Sequence, residues 1–215
     1  MSQAVRQSMD RMYRHQRHVY DLTRKYYLLG RDRLIDEVRP RAGETVCEVG
    51  CGTARNLVAL ARRYPDACVM GLDASDAMLD TAKRSLERSG LSDRVAVAQA
   101  FAQTFTPATF GRATPFDHVL FSYTLSMIPG PQAALDNALA QLRPGGTLRV
   151  VDFGDQAGLP GWFRTLLVRW LALFHVEHRP EVAAWFEARA AEGAGLFAKR
   201  TMGGGYAEFF TLTKG

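Results

Sequence analysis

Apolar positions at Val5, Met12, Val19 and Tyr26 recur every seven residues, and Tyr13, Tyr20 and Tyr27 do the same. Seven residues is close to two helical turns, so the pattern predicts a helix through residues 1–38 with each series on one stripe. After a turn at residues 40–43 the period changes. Short apolar runs at 45–49, 68–73, 94–99, 117–122 and 147–153 read as buried strands. Amphipathic stretches at 55–64, 76–88 and 131–142 read as helices, with Ser75 or Asp76 capping the second. Pro107, Gly111 and Pro115 mark a loop, and Pro144-Gly145-Gly146 reads as the turn into the fifth strand. Alternation of this kind predicts an α/β fold with a parallel sheet and right-handed crossovers.

The last quarter of the chain has a different rhythm. Trp162, Leu166, Trp170 and Phe174 form one i, i+4 series, and Phe163, Leu167 and Leu171 another, which predicts a helix over 161–176 with a broad apolar face. The chain then reads as a hairpin, 196–202 and 206–213 around Gly203-Gly204-Gly205. One domain is expected: a helical cap (1–38), a core (39–156), a helical insertion (157–195) and a closing hairpin (196–215).

Composition narrows the options modestly. The length suits a single α/β domain. A net charge of +5 favours contact with phosphates or an anionic membrane surface without requiring either. Cys47, Cys51 and Cys68 include no CxxC pair, so neither a zinc site nor a disulfide framework is expected. The polar, charged start is unlike a secretory signal, and no apolar run approaches the about 20 residues that span a bilayer. These features point to a cytoplasmic protein, with peripheral attachment at the inner face of the membrane left open.

The clearest chemistry lies at Glu48-Val49-Gly50-Cys51-Gly52-Thr53-Ala54, where a buried strand runs through a glycine turn into a helix. Glycines there permit a sharp turn and close approach of a ligand. Asp73 ends the next strand, twenty-three residues after Gly50, where a carboxylate can accept from both hydroxyls of a ribose. A dinucleotide site would place a small residue where this chain has Arg55, and that bulk opposes close helix packing.

The acid-x-glycine-x-glycine run, Asp73, residues 116–121, Leu142-Arg143-Pro144-Gly145-Gly146 and the closing hairpin together resemble class I S-adenosylmethionine-dependent methyltransferases. The resemblance implies a Rossmann-like fold: a seven-stranded, mostly parallel sheet with an antiparallel last strand and helices on both faces. It implies S-adenosyl-L-methionine as cofactor, bound by Glu48, Gly50, Cys51, Gly52, Asp73, Ala74, Met78, Phe101, Ala102 and Ser122. Within that set the backbone of residues 50–52 faces the methionine moiety, Asp73 the ribose, Ala74 and Met78 the adenine, and Phe101 serves as a wall. Two departures stand out. Ala54 replaces a frequent third glycine, and Ala100-Phe101-Ala102-Gln103 lacks the family's adenine-binding carboxylate, leaving Gln103, a backbone carbonyl or water as substitutes.

Ligands of open α/β sheets sit at the carboxyl ends of the strands, which makes Tyr123, Ser126, Asp152 and Asp155 candidates for the acceptor side. An amine acceptor must shed a proton, and its cationic product suits aromatic faces. Tyr20 and Tyr123 are therefore expected to line an ammonium site, with Asp152 as electrostatic partner or base; His118, within a strand, reads as packed or on the sheet face.

Residues 9–17 and 20–32, with Ser122-Tyr123-Thr124-Leu125-Ser126-Met127-Ile128-Pro129 and Val151-Asp152-Phe153, are similar to bacterial betaine-lipid N-methyltransferases. That resemblance implies successive N-methylation of diacylglyceryl-homoserine, whose carboxylate Arg24, Arg31 or Arg179 would pair. Phosphatidylethanolamine, a soluble small molecule, or cofactor binding without catalysis are the alternatives. The implied partner is a lipid at a membrane surface, with Trp162 and Trp170 as anchors and Arg164 and Arg169 near head groups. No metal and no nucleic acid are expected, and a homo-oligomer is left open.

Overall fold

A computed structural model describes residues 28–172 and 178–215. Among these the elements are helix α1 (Arg31–Val38), strand β1 (Thr45–Val49), α2 (Arg55–Arg63), β2 (Cys68–Asp73), α3 (Asp76–Arg88), β3 (Val95–Gln99), β4 (Phe116–Ser122), α4 (Pro131–Ala140), β5 (Leu142–Phe153), α5 (Gly161–Ala172), α6 (Pro180–Ala191), β6 (Gly195–Met202) and β7 (Ala207–Lys214). Short 3-10 turns occupy Pro107–Phe110 and Leu125–Met127.

The strands form one sheet in the order β3-β2-β1-β4-β5-β7-β6. β1 to β5 are mutually parallel, and β7 runs antiparallel to both of its neighbours. This is the Rossmann-like arrangement expected. Strands covered on both faces read as continuous apolar runs, and β1 is buried at every position. Alternate residues serve opposite layers. Val46, Val69 and Leu120 meet Ile35 of α1, Leu57 and Leu60 of α2 and Leu79 of α3. Cys47, Val119 and Val150 meet Ala134 and Leu135 of α4 and Trp185 and Phe186 of α6. Leu57 and Leu60 are completely buried, and each such side chain contributes roughly 1.5–3 kcal/mol.

A third cluster, at the carboxyl end of the sheet, joins Leu34, Tyr123, Phe153, Leu167, Tyr206 and Phe209, with Trp170 packed against it. This cluster ties α1, α5 and the β6–β7 turn to the ends of β4 and β5.

Several expected boundaries change. Residues 1–27 lie outside the described residues, but a continuous helix through 38 is ruled out by 28–30, which are not helical. Gly30 takes φ +83° and faces the Phe209 ring so closely that a Cβ would stand 2.1 Å from Cζ. The fifth strand starts at Leu142, not Thr147, and α4 accordingly stops at Ala140. Pro144-Gly145-Gly146 is a bulge within that strand, because Phe116 pairs with Leu142 and His118 already with Thr147. Arg143 pins the bulge by donating to Asp117, whose other oxygen accepts from the Thr45 N–H and hydroxyl, each at 2.8 Å. The helical insertion contains a separate α6, whose Trp185 Nε1 donates to Asp136 on α4 at 2.8 Å. The helix expected over 161–176 is described as far as Ala172.

Candidate active site

The backbone between β1 and α2 takes left-handed conformations three times in five residues, at Gly50 (φ +73°), Gly52 (φ +53°) and Ala54 (φ +66°). The Gly50 and Cys51 N–H groups both donate to the Leu72 carbonyl, at 2.8 and 2.9 Å, which fastens the turn to the end of β2. A Cβ on Gly50 would lie 2.3 Å from Thr124 Cγ2. The turn is thus pressed against the loop after β4, and only glycine fits. Ala54 adopts the conformation for which a third glycine would be suited.

Asp73 is placed as expected, beside this turn. Its Oδ2 accepts from the Gly52 N–H at 2.9 Å and its Oδ1 from the Ser75 N–H at 2.9 Å. A carboxylate oxygen can accept more than one hydrogen bond, so these contacts orient the group without exhausting it. Ser75 caps α3 through the Met78 N–H, and Met78 is buried behind it. Gln99, the last residue of β3, donates from Nε2 to the Ala74 carbonyl at 3.3 Å. Phe101 is half-buried in a turn whose carbonyl accepts from Thr104 and Phe105. Ala102 packs into the core and its carbonyl accepts from Asn137 Nδ2 at 3.1 Å.

Glu48 is buried and accepts from Asn56 Nδ2 at 2.5 Å, linking β1 to the first turn of α2. Arg31, Glu48, Gly50, Asn56 and Ser122 line one cleft. The Arg31 side chain is only 12% exposed and reaches Asp32 at 3.0 Å. The Ser122 hydroxyl is buried and makes no hydrogen bond. Such a group at a cleft wall is a natural contact for a polar ligand.

Tyr123 and Asp152 lie at the carboxyl ends of β4 and β5 and are engaged internally. Tyr123 takes φ +55°, packs edge-on against Phe153 at 4.6 Å and donates its hydroxyl to the Leu29 carbonyl at 2.5 Å. Burial, aided by the charge of Asp152, pushes its pKa far up, so the phenol stays a donor at neutral pH. Asp152 Oδ2 accepts from the Ser126 N–H at 3.0 Å and Oδ1 from the Phe153 N–H at 2.8 Å. Burial raises its pKa, against the opposing pull of those amides. The pair locks the ends of β4 and β5 together and holds residue 29 over them. Tyr20, the other expected aromatic, lies outside the described residues, as do Arg24 and the N-terminal tyrosines.

His118 is packed as expected: Nδ1 meets Thr147 Oγ1 at 2.8 Å and Nε2 meets Glu44 Oε2 at 3.2 Å, and burial lowers its pKa. It sits in β4 away from the glycine turn. Among the described residues no His, Cys, Asp and Glu group is arranged to hold a metal, and no helix is long and apolar enough to cross a membrane. Sequence reasoning missed Asn56, Gln99 and Gln156. The first two sit at predictable element ends. Gln156 offers no motif, and only its conformation singles it out: φ +58° and a buried side chain just past β5.

Residues 46–146 match the protein family described as Methyltransferase domain. The chain is 35% identical over 117 residues to trans-aconitate 2-methyltransferase of Methylobacterium radiotolerans, covering 54% of this chain and 41% of that protein. It is 30% identical over 154 residues to aklanonic acid methyltransferase DauC of Streptomyces sp. (strain C5), covering 69% and 66%. The chain spans about two fifths of the length of the trans-aconitate methyltransferases it matches. A crystal structure of a putative S-adenosyl-L-methionine-dependent methyltransferase from Methanococcus maripaludis superposes with a TM-score of 0.65 at 16% identity, covering 97% of this chain and 91% of that one, which shows the shared fold.

Proposed function

We propose, from the premise that residues 46–146 form a class I S-adenosylmethionine-dependent methyltransferase domain, that this chain methylates the amino head group of diacylglyceryl-homoserine, successively, to the trimethylated betaine lipid. The observation that carries the lipid reading is the placement of exposed apolar side chains. Trp162, Leu166 and Val168 of α5 are 74%, 62% and 49% exposed, while Leu167 of the same helix inserts into the cluster that holds Tyr123 and Phe153. The helix therefore turns large apolar groups to solvent at the sheet end where the acceptor of an α/β enzyme binds. Arg164 and Arg169 are exposed on it as well, as suits a helix lying among anionic head groups. Trp170 differs from the expectation for a second anchor: it is half-buried against the cluster, leaving Trp162 and Leu166 as the outward pair. The head group itself rests on the resemblance of residues 9–32, 122–129 and 151–153 to betaine-lipid N-methyltransferases.

The residues fit the cofactor. The glycine turn leaves no room for a Cβ at Gly50, Asp73 is oriented at the end of β2, and Ser122 has a buried hydroxyl in search of a partner. When bound, S-adenosylmethionine supplies a methyl group activated by its sulfonium. Residues 50–52 and Glu48 would hold its methionine portion, Asp73 its ribose, and Ala74 and Met78 its adenine. Arg31 offers a nearly buried cation to a carboxylate entering the cleft. Tyr123 and Asp152 position the acceptor end: the phenol clamps residue 29, and Asp152 fixes the turn that follows Thr124.

Surface-dilution kinetics test this reading. In mixed micelles the rate should follow the mole fraction of diacylglyceryl-homoserine in the micelle, at constant bulk concentration. A rate set by bulk concentration alone would favour a soluble acceptor.

A further inference from the structure

We propose that Gln156 binds the acceptor amine, accepting a hydrogen bond from its N–H through Oε1; the proposal rests on the amine reading above. Gln156 is 3% exposed, and its Oε1 is buried without a hydrogen-bond partner. Its backbone takes φ +58°, a conformation that a long side chain seldom adopts unless the surroundings impose it. The surroundings here are a zipper. The Gly154, Gln156 and Gly158 N–H groups donate to the carbonyls of Tyr206, Gly205 and Gly204 at 3.0, 2.9 and 2.9 Å. Gly154 and Gly158 admit no Cβ against that turn.

A rigid loop at the carboxyl end of β5 thus carries a buried acceptor oxygen that the fold leaves unsatisfied. Leaving such a group unmet is unfavourable, and a ligand that donates a hydrogen bond relieves it. Tyr123, at the end of the neighbouring β4, also lies in the left-handed region, and the Ser122 hydroxyl beside it is likewise buried without a hydrogen-bond partner.

The chemistry of the acceptor makes the proposal specific. Each transfer forms one N–C bond as one C–S bond breaks. The first and second transfers release a proton from nitrogen to water, and the third yields the permanent cation. Primary and secondary amines carry an N–H for Oε1 to hold, whereas the neutral dimethylated amine carries none. Gln156 therefore orients the first two transfers and not the third.

Gln156→Gly keeps the left-handed backbone and removes the carboxamide; Gln156→Asn tolerates that backbone and keeps a shorter carboxamide. With the full chain and lipids of each methylation state, Gln156→Gly should lower kcat/KM for the first two transfers by about tenfold, the worth of one good hydrogen bond. The third should change by less than about threefold, cofactor affinity should be unchanged, and Gln156→Asn should restore part of the loss. Equal slowing of all three steps, or of none, in a variant that melts like the wild type overturns the proposal. Should Gln156→Gly fail to fold, the step dependence is read from Gln156→Asn, with equal slowing again counting against it. A wild-type enzyme inactive on the unmethylated lipid would refute the amine reading itself, and the assignment of Gln156 with it.

Discussion

Replacing Gly50 by alanine adds one methyl group at the point where the glycine turn meets the loop after β4. Two costs follow. Alanine at φ +73° costs about 1–2 kcal/mol relative to its relaxed backbone. The new Cβ would stand 2.3 Å from Thr124 Cγ2 and 2.9 Å from its Oγ1, and overpacking of that kind costs about 1–3 kcal/mol. Together these predict a loss of about 2–5 kcal/mol. For a domain of this size each kcal/mol lowers Tm by roughly 2–4 °C, so calorimetry should show a fall of roughly 4–20 °C. Calorimetric titration should also show cofactor affinity reduced at least about tenfold, because the same backbone would line the site. Adding Thr124→Ser removes the closest methyl and should recover about 1–2 kcal/mol while leaving the backbone cost. An alanine variant that melts and binds like the wild type would show that the turn is not held against Thr124, and the reasoning would fail.

Asp73→Ala removes the acceptor of two backbone N–H bonds; cofactor affinity should fall by about a hundredfold or more, at about 1.5–3 kcal/mol per charged hydrogen bond, and an unchanged Kd would refute the ribose assignment. Burial depresses the His118 pKa below its ordinary value, against the opposing Glu44 carboxylate. The folded protein then binds fewer protons than the unfolded chain below about pH 6.5, so stability is full above that pH and falls on acidification. His118→Gln should flatten that portion of the denaturant-midpoint profile, and an unaltered slope would remove His118 as its source. Trp162→Ser combined with Leu166→Ser should leave Tm nearly unchanged, since both side chains are exposed, and reduce sedimentation with anionic vesicles severalfold; unaltered sedimentation would free α5 from a membrane role.

How far these features were legible depends on the range of the interaction behind them. The glycine turn and Asp73 are local signals, each a residue type demanded by backbone geometry at a strand end. Strand alternation was equally legible, because covered strands must be apolar throughout. The break before α1 was not, since the heptad pattern runs on to Gly30, where the chain turns at φ +83° against the ring of Phe209, a neighbour far along the chain. The bulge at residues 144–146 looks like a turn in sequence but lies within β5, between the Phe116–Leu142 and His118–Thr147 pairings, with Arg143 bonded to Asp117 across it. Tyr123 was visible as a strand-end residue, but its hydroxyl partner lies 94 positions away. For α5, an i, i+4 apolar series fits core and interface alike, and packing alone separates buried Leu167 from exposed Leu166.

The central claim is transfer of methyl groups to a lipid amine, and labelled S-adenosylmethionine addresses it directly. The full chain would be incubated with diacylglyceryl-homoserine in mixed micelles, beside phosphatidylethanolamine and free homoserine. The account predicts label in the mono-, di- and trimethylated forms of the homoserine lipid and none in free homoserine. Label absent from both lipids, with cofactor binding demonstrated in the same preparation, would contradict it.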